Sequence, residues 1–493
     1  MVAEAATVVL DGRDRLRRTG ATPPMFDVPI SPRPDDGFPD VLGRDDLERY
    51  RTLAEKAASR LAGRTVWHVN STPEGGGVAE ILRSCLGYLV TAGIDTRWLV
   101  MEGDPAFFDV TKRIHNRLHG EPGDGAGLGD YEREHYIRVT EGNIDAAREL
   151  VKPGDVVVVH DPQPMGLVPA LTAWGAIVIW TCHVGLDTPN DLARSAWDFL
   201  RPYLDGGRAF TFTRQAYVWE GIDPARVELI PPCIDAFSLK NVELEPSQRE
   251  AILSAAGVVE PSDHAGEPTF WRGDGSEAIV TNRADLVEEG PVPVGAPLAV
   301  QVSRWDRLKD PVGVIRGFAL DTAVPDAHLM LAGPAASSVA DDPEALQVLD
   351  EVEDAWELLE PDVRRRVHLA NLPTDDVEEN AVIVNALQRR ADVVIQKSLA
   401  EGFGLTVTEA MWKRRPLVAS SVGGIQDQID DGRQGRLVDP RDLAAFRGAL
   451  DELLGDPAAA AAMGEAAQQR VRSAYLAPHY LANYLDLILR VHL

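Results

Sequence analysis

Four consecutive valines, Val156-Val157-Val158-Val159, constrain this chain's fold more than any other feature. So short an apolar run with no polar position has no face to turn to water, so it suits a parallel sheet covered by helices on both sides. Similar runs recur in two series. The first comprises Val66 to Val69, Arg97 to Met101, Val156 to His160, Ala176 to Trp180 and Phe210 to Thr213. The second comprises Leu298 to Val302, His328 to Leu331, Val367 to Leu369, Val393 to Ile395 and Leu417 to Ala419. Helical periodicity fills the intervals, over about 45–62 and again from about Val78. The 493 residues exceed what one hydrophobic core organises. The chain is therefore expected to be an α/β protein of two Rossmann-like domains, 41–240 and 241–470, facing each other across a ligand cleft lined by strand C-termini and helix N-termini.

The flanking segments read differently. Residues 1–40 carry Pro23, Pro24, Pro29, Pro32, Pro34 and Pro39 with little periodicity, which predicts an extended N-terminal arm without a catalytic role. The stretch 258–296 is rich in Gly, Pro and acidic residues and reads as an excursion at the start of the second domain. Residues 471–493 are expected to form a C-terminal helix that packs back on the N-terminal domain.

Charge narrows the ligands. Lys and Arg number 49 against 77 Asp and Glu, a formal charge of -28, which argues against nucleic acid or an anionic membrane as a partner. An anionic substrate must then meet locally placed cations. The three cysteines, Cys85, Cys182 and Cys233, are far apart, so neither a disulfide framework nor a Cys-x-x-Cys metal site is indicated. No signal-like opening and no membrane-length apolar run is present, and a cytoplasmic location is expected.

The strongest chemical signal is Lys397-Ser398-Leu399-Ala400-Glu401-Gly402-Phe403-Gly404-Leu405-Thr406-Val407-Thr408-Glu409-Ala410-Met411, between an apolar strand and a helix. Gly402 and Gly404 allow close approach of the backbone to a ligand, and a helix beginning near Gly404 offers free N–H groups and its positive dipole end to phosphate. The alternative is a plain strand-to-helix connection with solvated glutamates. A second motif, Val302-Ser303-Arg304-Trp305-Asp306-Arg307-Leu308-Lys309-Asp310-Pro311, places Arg304 and Lys309 at a strand C-terminus. They can hold a diphosphate, Arg by forking onto two oxygens and Lys as a point charge. Surface pairing with Asp306 and Asp310 would account for them equally well. Arg307 is expected to be exposed.

Together these residues resemble the retaining GT-B glycosyltransferases of the large family that includes sucrose and trehalose synthases, over roughly residues 60–490. Arg304, Lys309, Glu401 and Glu409 match that family's paired cations and its two glutamates eight residues apart. The resemblance implies that the cations bind the donor diphosphate and stabilise the leaving group. It also implies that Glu401 contacts the donor sugar hydroxyls, that Glu409 binds the nucleotide ribose, and that Gly402, Phe403, Gly404, Leu405 and Thr406 complete the donor site.

The N-terminal sequence His68-Val69-Asn70-Ser71-Thr72-Pro73-Glu74-Gly75-Gly76-Gly77 narrows the resemblance. It is neither a Gly-x-Gly-x-x-Gly dinucleotide motif nor a P-loop. A tight turn explains the triplet alone as well as a ligand contact does. With His160-Asp161-Pro162-Gln163-Pro164 and Trp180-Thr181-Cys182-His183, however, it is similar to the trehalose glycosyltransferring synthases and the related trehalose phosphorylases. On that basis Gly76 and Gly77 are expected at the donor and His183 at the donor sugar among the catalytic residues, a core histidine being the bland alternative. Asn70, Asp161, Gln163 and Arg214 are expected at the acceptor, with loop capping an equal alternative for Asp161 and Gln163.

The resemblance implies transfer of glucose from an ADP-, UDP- or GDP-glucose donor to free glucose, reversibly, giving trehalose with retention. Phosphorolysis of trehalose, another acceptor, or a non-catalytic sugar-nucleotide sensor are the alternatives. No tightly bound cofactor is expected. No Asp-x-Asp occurs, so no metal site is assigned, although magnesium can accompany the nucleotide. A homodimer is compatible with the sequence.

Overall fold

The computed structural model describes residues 25–74, 76–260, 266–335 and 344–492. Residues 1–24 of the predicted arm and Gly75 of the glycine triplet lie outside these. The chain divides into two compact units, the first comprising residues 1–39, 44–231 and 480–493 and the second 40–43 and 232–479.

The first unit is built on a seven-stranded sheet of β1 (Met25–Val28), β2 (Val66–Asn70), β3 (Thr96–Met101), β4 (Val156–His160), β5 (Ile177–Cys182), β6 (Ala209–Phe212) and β7 (Val227–Leu229). Its spatial order is β1-β3-β2-β4-β5-β6-β7. All pairings are parallel except β1 with β3. Every residue of β2 and β4 is buried, the polar His68, Asn70 and His160 included. The chain steps from β2 to β3 on one side and resumes at β4 on the other, so the strand order reverses between β2 and β4.

The described part of the extended arm expected over 1–40 carries regular structure. Met25–Val28 pairs antiparallel with Trp98–Met101 at the sheet edge, and Phe38–Val41 is a short helix. Pro29 follows the strand without interrupting it, and Pro39 falls in the first helical turn, where its missing N–H costs nothing. At the other end of the chain, Tyr484 in the helix Ala477–Val491 holds Thr181 and Thr211 through its hydroxyl, at 2.9 and 3.2 Å.

The second unit repeats the plan with β10 (Asp285–Val287), β11 (Leu298–Val302), β12 (His328–Pro334), β13 (Val367–Leu372), β14 (Val393–Gln396), β15 (Leu417–Ser420) and β16 (Arg436–Val438). The order is β10-β13-β12-β11-β14-β15-β16, parallel throughout except for β10 on β13. This is a doubly wound sheet whose order reverses between β11 and β14, and such reversals open a crevice at the strand C-termini. The excursion at 258–296 carries regular structure among its described residues. It holds the hairpin β8 (Thr269–Trp271) and β9 (Glu277–Ile279) and the edge strand β10. The segment is fixed by side chains: the Glu379 carboxylate accepts from the amides of Thr281 and Asn282, both at 2.6 Å, and Arg272 pairs with Asp376 and Glu378.

Candidate active site

In the second unit, both sequence motifs fall at the strand-order reversal, one leaving β11 and the other leaving β14. The segment after β11 is anchored by Trp305, a buried ring whose indole N–H donates to the Pro334 carbonyl at 3.0 Å. Asp306 accepts from the Leu308 amide at 2.8 Å and starts a single 3₁₀ turn, Arg307–Lys309. Gln301 of β11 donates to the Lys309 carbonyl at 2.9 Å, and the Leu399 amide donates to the Leu308 carbonyl at 2.7 Å, tying the two loops together. The result is that the Lys309 ammonium lies 2.5 Å from Glu401 Oε2.

The two other cations of this loop diverge. Arg304 is 45% exposed and lies 3.5 Å from Asp306. Arg307 turns to Glu344 and Glu351 on the surface, at 2.6 and 2.5 Å. Asp310, a candidate partner for the motif's cations, instead caps the helix Pro311–Phe318 from a left-handed backbone conformation and pairs with the buried Lys397.

The loop after β14 is held by a polar lattice. Gln396 donates to Ser398 Oγ at 2.9 Å and accepts from the Thr406 hydroxyl at 2.7 Å, while Ser398 donates to Glu401 Oε2 at 3.3 Å. The helix Leu405–Trp412 then begins at Gly404, whose φ of +87° excludes an ordinary side chain without strain. Gly424 closes the back of the loop: a Cβ there would stand 2.8 Å from both the Gly402 carbonyl oxygen and the Phe403 Cα. Gln428 donates to the Phe403 carbonyl at 2.6 Å. By helix geometry the first-turn amides after Gly404, those of Leu405 and Thr406, point outward along the axis, the arrangement that binds phosphate.

Glu409 lies one turn into that helix, buried, with Lys240 at 3.9 Å. Beside it Lys413 is buried and donates to Gln388, Asn241 and the Glu409 carbonyl at 2.7, 3.1 and 3.3 Å. The two glutamates thus have separate surroundings, Glu401 with Lys309 and Glu409 with Lys240. Lys240, Gln396 and Lys413 carry no motif in the sequence. Of these, Lys240 is brought to Glu409 only by the folded chain, as are the Gln388 and Asn241 partners of Lys413.

In the first unit the corresponding reversal lies between β2 and β4. Gly76 caps the helix Gly77–Thr91, and a Cβ on it would meet nothing within 4 Å. Packing within the protein does not explain the glycine. Asp161 follows β4 with φ +64°, a conformation that Asp tolerates better than most residues, and its carboxylate accepts from the His183 amide at 2.8 Å. Gln163 precedes the 3₁₀ turn Pro164–Leu167 and is half-buried. Asn70 is engaged by the scaffold, accepting from Trp98 Nε1 at 2.8 Å and donating to the Thr72 carbonyl at 2.6 Å. Arg214 pairs with Asp187 at 2.7 Å.

His183 ends a chain of three imidazoles. His68 Nδ1 lies 3.0 Å from His160 Nε2, and His160 Nδ1 lies 3.3 Å from His183 Nε2. Burial pushes the His68 ring down to about 3 and lowers His160 and His183 as well. All three are therefore neutral at physiological pH. Burial raises the Asp161 carboxyl, an effect opposed by His183. Among the described residues, no group of three or more His, Cys, Asp or Glu side chains is arranged to hold a metal ion, and no helix is long and apolar enough to cross a membrane.

Comparison with known proteins gives a consistent picture. Residues 68–219 match the family model "Trehalose synthase, N-terminal domain", and residues 377–470 match "Glycosyl transferases group 1". The chain is 34% identical over 462 residues to the trehalose synthase of Pyrococcus horikoshii, covering 92% of this chain and 95% of that protein. It is 26% identical to the trehalose phosphorylase of Pleurotus sajor-caju, over 87% of this chain and 59% of that longer protein. In fold it is similar to the α,α-trehalose-phosphate synthase (UDP-forming) of Burkholderia vietnamiensis, with a TM-score of 0.62 at 16% identity over 87% of this chain and 98% of the other.

Proposed function

Because the chain belongs to the trehalose synthase family of GT-B glycosyltransferases, we propose that it transfers glucose from a nucleoside-diphosphate glucose to free glucose, giving trehalose with retention. The observation that carries the donor assignment is the contact of Lys309 with Glu401 at the strand-order reversal, beside a helix that starts on Gly404. Opposite charges 4 Å apart attract by about 4 kcal/mol at an effective dielectric of 20. A diphosphate entering here would find Lys309 already fixed by its loop, the exposed Arg304 in the same loop, and the amides of Leu405 and Thr406. Preorganised charge of this kind stabilises a leaving group as its bond breaks.

Glu401, relieved of part of its pairing with Lys309, is then available to the sugar hydroxyls, and Glu409 to the ribose. Glu401 and Glu409 have separate lysine partners. A retaining hydrolase needs two cooperating carboxyl groups about 5 to 5.5 Å apart. Attack by the acceptor on the face the diphosphate leaves, with the departing phosphate taking the acceptor proton, requires only positioning and charge stabilisation from the protein. His183, at the end of β5, is assigned to the donor sugar, and Asp161 and Gln163 to the acceptor. We place the enzyme in the cytoplasm, in keeping with its three buried cysteines, which form no disulfide.

The phosphorylase reading is favoured by one observation, the similarity to the Pleurotus enzyme. Against it, a buried carboxylate matched to a ribose ligand has no purpose when the leaving group is inorganic phosphate. The test is incubation with glucose and, separately, ADP-, UDP- and GDP-glucose, with the product linkage read by NMR. An α,α-1,1-linked disaccharide from at least one donor is expected. Transfer to no acceptor with any donor would refute the proposal.

A further inference from the structure

The three histidines of the first unit form a chain across adjacent strands, His68 in β2, His160 ending β4 and His183 just beyond β5. Their rings are nearly parallel, 21° apart for the first pair and 8° for the second. Each nitrogen–nitrogen contact needs one proton and one lone pair. A neutral imidazole has one of each. His160, engaged at both nitrogens, must therefore donate to one neighbour and accept from the other, so fixing the proton on one outer ring fixes it on all three.

Two features select the direction. Asp161 Oδ1 holds the backbone amide of His183 at 2.8 Å. Nδ1 is bonded to Cγ and so lies nearer the main chain than Nε2, and the carboxylate favours a proton on that nearer nitrogen. At the far end, the opposite direction would leave an N–H on His68 Nε2, which has no hydrogen-bond partner among the described residues.

We propose that His68 and His160 are positioning residues that hold the His183 proton on Nδ1, so that His183 presents a hydrogen-bond donor to a sugar hydroxyl. His68 Nδ1–H donates to His160 Nε2, and His160 Nδ1–H donates to His183 Nε2. The ring nitrogen of His183 that His160 does not take is then a donor, matched to a hydroxyl oxygen of a sugar and mismatched to a cation or a hydrogen-bond-donating group. The tautomer rests on the imidazole contacts, the Asp161 contact with the His183 amide and the lack of a partner for His68 Nε2 among the described residues. Its use on a sugar rests on the transferase reading above.

The test is nitrogen NMR of the full-length enzyme grown with ¹⁵N-histidine, the His183 signals being assigned by their loss in His183→Asn. His183 is expected to show a protonated Nδ1 and an unprotonated Nε2. His160→Phe should unfix that tautomer and lower kcat about tenfold, the effect of one lost buried hydrogen bond, with the affinity for nucleoside diphosphate unchanged. His160→Gln, which both donates and accepts, should recover most of the loss. A proton on His183 Nε2 in the unmodified enzyme overturns the proposal, and so does a His160→Phe enzyme with an unaltered tautomer and kcat. Should His160→Phe fail to fold, the unmodified spectrum decides. An Nδ1 proton in a chain that transfers glucose to no acceptor would refute the transferase reading and leave the relay standing.

Discussion

Lys309 and Glu401, ninety-two positions apart in the sequence, meet at 2.5 Å because the loops leaving β11 and β14 are stitched together by the Leu399 amide on the Leu308 carbonyl. The pair is nearly buried, with side chains 17% and 12% exposed. A charge in such a place interacts strongly with whatever ligand joins it. Removing Lys309 would leave Glu401 without its cation, so its loss should be felt at both the diphosphate and the sugar.

Arg304→Ala and Lys309→Ala should therefore each lower kcat by about 10² to 10³, the range found when one preorganised transition-state donor is deleted. Steady-state kinetics at saturating donor, with circular dichroism to confirm folding, measure this. A double variant with near-normal turnover would remove the diphosphate site from consideration.

Glu401 and Glu409 should have separable effects. Glu409→Ala is expected chiefly to weaken binding of free nucleoside diphosphate, and Glu401→Gln chiefly to slow transfer, since sugar contacts orient the reacting carbon. Calorimetry on the two variants distinguishes them. Equal losses of nucleotide affinity would contradict the assignment.

How much of this was legible in the sequence varies from element to element. The strands that flank both strand-order reversals were readable because Val156 to Val159 is a continuous apolar run and Leu298 to Val302 is apolar but for Gln301, a pattern that suits parallel strands buried on both faces. β7, β10 and β16 were not, since three residues are too few to show a period. Met25–Val28 was hidden by prolines that border the strand instead of breaking it. Within the site, Glu401, Gly404 and Lys309 stand in motifs visible in the sequence, whereas the approach of Lys240 to Glu409 depends on a tertiary contact that no local pattern encodes. The chain of histidines lay partly in view, because His160 and His183 each end an apolar run, but the pairing of His68 with His160 depends on β2 lying beside β4.

Gly404→Ala should lower the melting temperature by several degrees and impair donor binding. A left-handed backbone costs an ordinary residue roughly 1–2 kcal/mol, and a Cβ there would also stand 3.3 Å from Glu401 Cγ. Scanning calorimetry and nucleotide titration on the same variant check both effects. A variant that binds the nucleotide normally would show that the conformation of Gly404 is unrelated to the donor site.

Stability should fall with acidification below about pH 6.5, the ordinary histidine value. In the folded chain burial holds His68 down to about 3, with His160 and His183 also lowered, so between these values the unfolded chain binds more protons than the folded one. Stability therefore rises with pH across the window from about 3 to about 6.5, by up to about 1.4 kcal/mol per pH unit for each such ring. Urea unfolding followed through Trp180, which lies in β5, should show the trend, and His68→Gln should flatten it. An unchanged pH slope in that variant would mean that His68 is not held neutral by burial.

The central claim, that the donor is a nucleotide sugar and the product trehalose, is most directly tested in reverse. Trehalose is supplied with either a nucleoside diphosphate or inorganic phosphate, and formation of nucleoside-diphosphate glucose or glucose 1-phosphate is followed. Rapid cleavage is predicted with the nucleotide only. Efficient release of glucose 1-phosphate with phosphate alone would contradict the account and identify the chain as a phosphorylase.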